Sequence, residues 1–248
     1  MIQDIQSLLN DWPYQSEKLC VRRIDGDDSR GKIQLRIEMG ILQMETEGRP
    51  DGKEPHGYES LLHYYRAQAE AAEGESKDFT VNPEDCMALQ MEALQYYHRR
   101  ISYLELGEYQ RAQDDAQRNL DLFDFVKQHA AEEEDRLNME QYRPFVIGHR
   151  VRAAVLQTLE DKNFDRALRE IEAGIEEIQS FFEDFDRPDL LDESEEIAFL
   201  KEWADEIRKD RPRSLAQDLG DQLSEAVRLE DFERAAELRD RLRTISEN

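Results

Sequence analysis

A five-residue pattern that occurs three times constrains how this chain of 248 residues can fold. It occupies residues 108–112, 163–167 and 231–235, and each copy reads acidic or amide residue, aromatic residue, any residue, arginine, alanine. Each copy follows a run with leucine at helical spacing and begins another such run. A capping polar residue, an aromatic ring in the angle and a small residue one turn later are typical of a helical hairpin's elbow. The sequence therefore predicts a protein built from helical hairpins.

Period-two alternation is confined to the amino-terminal part of the chain. After a short predicted helix over residues 2–10, apolar residues alternate with polar ones over residues 33–39 and again over residues 42–46. Gly40 separates these two runs, which have opposite phase, and it predicts a bulge or a tight bend. Together with an earlier apolar stretch, the runs predict a small antiparallel β-meander over roughly residues 18–48.

From residue 57 onward the apolar residues follow the period of amphipathic helices. We therefore predict a mainly α fold of stacked antiparallel helical hairpins, with the small amino-terminal β-meander and a carboxyl-terminal two-helix hairpin. Three regions are expected. Residues 1–56 hold the short helix and the meander, residues 57–212 the helical hairpins, and residues 213–248 the last hairpin.

The charge composition disfavours several classes of partner. The formal net charge is −25, and most of the excess acid lies in residues 57–212. Such a surface repels phosphate backbones and anionic lipid headgroups, so we expect no direct nucleic-acid contact and no membrane binding.

Residues 1–11 lack the basic stretch followed by an apolar run that is typical of a signal peptide. Cys20 and Cys86 form neither a disulfide framework nor a zinc-binding spacing, which predicts a reducing, cytoplasmic setting.

No constellation of residues in the sequence calls for catalysis, a metal or a cofactor. The chain lacks a glycine-rich phosphate loop, a Gly-x-Ser-x-Gly elbow and a metal-binding histidine spacing. Two basic clusters fall on corresponding helices of two predicted hairpins, Arg99 with Arg100 and Arg150 with Arg152. These four arginines could line one groove and clamp a carboxylate. Pairing with neighbouring acids is the commoner arrangement for such arginines.

The turn around the first elbow and the last hairpin both have the pattern of known families. Residues 106–109 with Ala112 resemble the turn of a tetratricopeptide repeat, but the elbows lie farther apart than the ~34 residues of that repeat. We therefore expect repeat-like hairpins and not a regular array. The pattern of the last hairpin is carried by Leu219, Leu223, Ala226, Val227, Glu230, Asp231, Phe232, Ala235, Ala236, Leu238, Arg239, Asp240 and Leu242.

These positions resemble the UVR motif over about residues 213–247. That motif is a short helical hairpin named for the excision-repair subunits that share it. It also occurs in Clp-type chaperone ATPases and their regulators. The resemblance implies a protein–protein docking module that pairs with a like hairpin and has no catalytic role. The stretch over residues 34–59 also resembles uncharacterised bacterial proteins that end in a UVR motif, which names no activity.

The leading hypothesis is a non-enzymatic scaffold or adaptor that docks on a protein partner or a second copy. The predicted partner-binding residues are Leu219, Leu223, Val227, Phe232, Ala235, Leu238, Arg239 and Leu242. A two-helix hairpin is too small to bury such an apolar face alone, so docking on the chain's own helices is the competing interpretation. Two further hypotheses are an accessory factor of excision repair or of a Clp-type system, acting through protein contacts, and an enzyme or ligand-binding protein that uses the arginine groove.

Overall fold

The computed structural model describes residues 4–212 and 215–246. Two compact units can be distinguished, residues 1–204 and residues 205–248. The described residues are mainly helical and include one small sheet, which confirms the predicted fold class. The predicted domain boundary at residue 213 stays a prediction, because residues 213 and 214 lie outside the described residues.

The helices that precede the last hairpin are α1 Gln6–Asp11, α2 Leu61–Gly74, α3 Pro83–Glu105, α4 Tyr109–His129, α5 Glu133–Glu140, α6 Arg143–Glu160, α7 Phe164–Asp184 and α8 Glu195–Asp210. The last hairpin consists of α9 Leu215–Arg228 and α10 Phe232–Ser246. The first two residues of the predicted helix over residues 2–10 lie outside the described part of the chain. Within the described ranges, no helix is both long and apolar enough to cross a membrane.

The sheet is the predicted meander. Its strands are β1 Cys20–Asp25, β2 Gly31–Ile37 and β3 Gly40–Glu45, paired antiparallel in the order β1-β2-β3. Gly40 pairs with Ile37 across a two-residue turn, so the change of phase in the sequence comes from chain reversal and not from a bulge. Ile33, Leu35 and Met44 are buried against side chains of α3, α4 and α6, which attaches the sheet to the helices of the first unit.

The three elbows share one backbone geometry. Gly107, Lys162 and Glu230 each adopt a positive φ, at 73°, 55° and 57°. The next amide donates to the carbonyl five residues earlier, at 2.9 Å for Glu108, 3.0 Å for Asn163 and 2.9 Å for Asp231. This is the Schellman arrangement, which satisfies the last carbonyls of one helix while the following residue begins the next. The repeated sequence pattern therefore encodes a repeated turn.

The aromatic residues of the elbows differ in exposure. The place of Tyr109 and Phe164 in the angle between two helices predicts that both rings are buried, but both residues, the first of α4 and of α7, are only half-buried. The alanines one turn later, Ala112 and Ala167, are fully buried. In the third elbow Phe232 leaves 68 % of its surface exposed. The third elbow is thus the one whose aromatic ring is most exposed to solvent.

The apolar spacing predicts a helix from about residue 139 to residue 160, and in the structure this helix, α6, begins four residues later. α5 ends at Glu140, and α6 begins at Arg143 after a turn at residues 141 and 142. Pro144 lies in the first turn of α6, where a missing N–H costs nothing and the fixed φ suits a helix start. α3 packs on α4, α4 on α6 and α6 on α7, so successive helices form a stack. The tetratricopeptide-like character of this stack stays a prediction.

A glycine allows α7 to approach α6 closely. A methyl group at Gly174 would lie 2.3 Å from Cγ2 of Val151. We therefore expect Gly174→Ala to lower the free energy of unfolding by roughly 1–3 kcal/mol through overpacking. Chemical denaturation measures this change. Gly148→Ala in α6 is the matched control, since its nearest neighbour would be Glu196 Cγ at 3.5 Å, and it is expected to stabilise by up to about 1 kcal/mol. Equal effects of the two substitutions would contradict the close approach.

Candidate protein-docking hairpin

The last hairpin is defined by local signals at its elbow. Glu230 has a positive φ, and the amide of Asp231 closes the end of α9 on the carbonyl of Ala226 at 2.9 Å. Asp231 then caps α10, because its Oδ1 accepts a hydrogen bond from the amide of Arg234 at 3.1 Å. The end of α9 and the cap of α10 lie within six residues, so the chain reverses its direction and the two helices pack along their length.

The two helices bury much of the predicted apolar stripe against each other. Leu219, Ala226, Ala235 and Leu238 form a small core in which each side chain is buried, and Leu223 and Leu242 pack against it half-buried. Apolar residues enclosed in this way stabilise the hairpin itself. The stripe is thus largely the core of the hairpin.

A second set of apolar residues lies exposed at the elbow end. Val227, Leu229 and Phe232 expose 52 %, 65 % and 68 % of their surface. We call these three residues the elbow patch. They lie within six consecutive residues around a tight turn, so they are close in space. Clustered exposed apolar side chains on a small module are typical of an interaction surface.

The structure divides the predicted partner-binding residues into two groups. Leu219, Ala235 and Leu238 belong to the hairpin core, with Leu223 and Leu242 at its edge. Val227, Phe232 and Arg239 are exposed. Their role in binding stays a prediction. Sequence reasoning missed Leu229, which is outside the helical stripe. The signal that could have found it is an apolar residue placed directly before the polar turn.

Charged side chains of the hairpin pair locally at its surface. Nη2 of Arg228 lies 2.6 Å from Oε1 of Glu225, and this hydrogen-bonded pair lowers the pKa of Glu225 and raises that of Arg228. Nη2 of Arg239 lies 3.4 Å from Oδ1 of Asp240. Exposed pairs of this kind contribute little to stability.

The four arginines of the predicted groove have separate environments. Arg99 is buried, and its Nε and Nη2 donate to the two carboxylate oxygens of Asp115 at 2.8 and 2.7 Å. Burial alone would lower the pKa of Arg99, but the hydrogen bonds to Asp115 together with nearby negative charge, chiefly that of Asp115, outweigh burial and raise the pKa. Arg150 pairs with Glu177, and Arg152 is exposed. Among the described residues, Arg100 is the one of these four that lines the large cavity between α3, α4, α5 and α6.

Comparison with known proteins classifies the hairpin. Residues 214–248 match the UvrB/uvrC motif, which is a protein-interaction motif. This match confirms the resemblance predicted for about residues 213–247, and it does not extend to the preceding residues. Comparisons with curated proteins and with solved structures returned no match. Within the described residues, no group of three or more histidine, cysteine, aspartate or glutamate side chains could hold a metal ion.

Proposed function

We propose that the chain is a non-enzymatic adaptor that docks on another protein through the elbow patch of its last hairpin. The observation that carries the proposal is the position of Val227, Leu229 and Phe232, which lie exposed on a segment that matches a protein-interaction motif. The hairpin core is filled by the hairpin's own side chains, so among the described side chains of the hairpin the elbow patch is an apolar surface that a partner can cover. The occupant is a protein partner or a second copy.

The charge of the chain supports a protein as the binding partner of the elbow patch. A net charge of −25 disfavours phosphate backbones and anionic lipid surfaces. Aromatic and large aliphatic residues are the usual anchors of protein interfaces. As part of the proposal we place the adaptor in a reducing, cytoplasmic setting, because Cys20 and Cys86 are both free and buried.

Truncation of one anchor tests this proposal. Phe232→Ala removes the aromatic ring of the elbow patch, its most exposed side chain, and leaves the hairpin core intact, so we expect it to weaken docking by roughly tenfold or more. Light scattering on the full chain over a range of concentrations measures docking on a second copy. Quantitative affinity capture measures docking on a partner.

Met39→Ala is the matched control, since Met39 is an apolar residue of the first unit with 85 % of its surface exposed. Loss of association with Phe232→Ala, but not with Met39→Ala, supports the elbow patch. Equal association of the intact chain and both variants contradicts it. Leu238→Ala is unsuitable as a test, because Leu238 belongs to the hairpin core.

A second candidate is an accessory role in excision repair or in a Clp-type chaperone system, exerted through protein contacts. The observation that favours it is the match of residues 214–248 to the UvrB/uvrC motif. Purified excision-repair subunits and Clp-type ATPases provide the test in a binding assay with the intact chain and Phe232→Ala. Binding that Phe232→Ala weakens assigns the partner, and failure to bind either class removes this candidate.

A further inference from the structure

The helices of the first unit form a cavity of about 510 Å³ between α3, α4, α5 and α6 that is open to solvent on one side. Its walls are rich in aromatic and sulfur-containing side chains, among them Tyr97, Phe123, Met139 and Phe145. Pockets of a few hundred Å³ with mostly apolar walls and a few polar groups commonly hold small organic ligands. The size and chemistry of this cavity are therefore those of a ligand site.

Apolar side chains also surround the entrance to the cavity. Met91, Leu94 and Tyr142 line the cavity and expose 57 %, 42 % and 48 % of their surface. An apolar molecule that enters the cavity would cover these side chains. Burial of this exposed apolar surface contributes favourably to binding.

One cation lies in the apolar wall without acceptors. Arg100 exposes 1 % of its surface and lines the cavity. Its Nε and Nη1 have no hydrogen-bond partner within the described part of the chain. The rings of Tyr97 and Phe145 lie 5.5 and 5.9 Å from its Cζ, which provides cation–π attraction. Ring faces do not replace the in-plane oxygen acceptors that guanidinium N–H groups require.

Neighbouring acids of the described chain do not supply these acceptors to Arg100. The described lining of the cavity contains no aspartate or glutamate. Asp115 is the acid whose charge raises the pKa of Arg100, and both carboxylate oxygens of Asp115 already accept from Arg99. Burial lowers the pKa of Arg100 to about 10, so the guanidinium still carries its charge at neutral pH. A buried charge with unused donors is costly unless something supplies the acceptors.

We propose that this cavity binds a small apolar carboxylic acid, whose carboxylate pairs with Arg100 while its apolar part lies against Tyr97, Phe123 and Phe145. The planar fork of a guanidinium matches the two oxygens of a carboxylate. Arg100 is the single cation among the described lining residues, which fits one negative charge better than a multiply charged phosphate. This site is independent of the docking hairpin and adds ligand binding to the proposed adaptor.

Isothermal titration calorimetry on the full chain tests the site with 4-phenylbutyrate and its uncharged amide, 4-phenylbutyramide. We expect saturable one-to-one binding of the acid that is at least tenfold tighter than binding of the amide. Arg100→Met is expected to abolish this preference and to raise the melting temperature of the ligand-free protein. Leu94→Glu is expected to weaken binding of the acid by repulsion at the entrance, and to weaken binding of the amide less.

Two arginines serve as controls. Arg152→Met removes an exposed cation of α6 and is expected to leave the preference for the acid unchanged. Arg99→Met leaves Asp115 buried without its partner and is expected to lower the melting temperature, the opposite of Arg100→Met. Failure of the intact chain to bind the acid, equal affinity for acid and amide, or an unchanged preference in folded Arg100→Met would overturn the proposal.

Discussion

Replacing Glu92 with glutamine is expected to lower the free energy of unfolding by about 3–5 kcal/mol. Glu92 of α3 is fully buried, and its carboxylate accepts from the amides of Leu61 and Leu62 at 2.8 and 3.3 Å. It also lies 3.0 Å from Nε of Arg49 and pairs with Arg118. Glutamine keeps the shape of the side chain but leaves the half-buried guanidinium of Arg118 without the counter-charge of Glu92. Arg49 keeps Asp51, whose Oδ2 lies 3.5 Å from Nη1 of Arg49. Urea denaturation followed by circular dichroism measures the loss.

Glu177→Gln is the matched control for this prediction. Glu177 pairs with Arg150, but its side chain is 41 % exposed, so solvent screens the pair and we expect a change below about 1 kcal/mol. If Glu92→Gln destabilises no more than Glu177→Gln, the buried carboxylate does not hold the amino end of α2 on α3. A large loss confined to Glu92 supports that role.

The free energy of unfolding of the first unit is expected to fall in mild acid because of His149. Burial, with Arg100 and Arg152 nearby, lowers the pKa of His149 to about 3, against a usual value near 6.5. Its Nδ1 has no partner among the described residues, and its ring lies 4.3 Å from that of Phe145. The folded protein therefore keeps His149 neutral at pH values where the unfolded chain takes up a proton. Stability from this residue is complete above about pH 6.5 and is lost as the pH falls towards about 3, by roughly 1.4 kcal/mol per pH unit.

His149→Phe isolates this contribution from the titration of the carboxylates. Phenylalanine retains an aromatic ring beside Tyr97 and Phe145 and cannot take up a proton. Measured between pH 4 and 7.5, the free energy of unfolding of the variant should fall less steeply than that of the intact chain. Parallel curves for the intact chain and His149→Phe would contradict the prediction.

Local signals made the elbows predictable from the sequence. Each elbow depends on three residues within fewer than ten positions: an αL residue, a capping residue and a small residue one turn later. The pattern at residues 231–235 therefore specifies its turn locally, without contacts from the rest of the chain. The meander was predictable for the same reason, since alternation and a turn around Gly40 are local. The turn between α5 and α6 was missed, although Pro144 signals it. In a helix that begins at residue 139 Pro144 would be the sixth residue, where proline removes a hydrogen bond, whereas it suits the first turn of a helix that begins at Arg143.

Long-range contacts were not predictable in the same way. Arg49, Glu92 and Arg118 meet only after the loop before α2, α3 and α4 have packed, and each residue alone has the pattern of a surface charge. Arg99 and Arg100 are adjacent in sequence, yet one has Asp115 as its partner and the other lines a cavity. Periodicity identifies which residues share a helix face, but it does not say what covers that face.

The same limit applies to the last hairpin. Its leucine stripe was visible in the sequence as an apolar face, and the structure shows that α9 and α10 cover most of it for each other. Among the described side chains of the hairpin, the large exposed apolar residues lie at the elbow, where Leu229 does not follow the helical period. The candidate docking surface therefore moves from the length of the helices to the turn between them.

Site-specific photo-crosslinking in the cells that produce the chain tests the central claim most directly. A benzophenone amino acid placed at position 232 lies in the elbow patch, and the same amino acid placed at position 39 lies on an exposed site of the first unit. The proposed adaptor function predicts a discrete crosslinked species from position 232, either a dimer of the chain or a complex with a partner, and none of comparable yield from position 39. Equal yields from the two positions, or no crosslink at position 232, would contradict docking through the elbow patch.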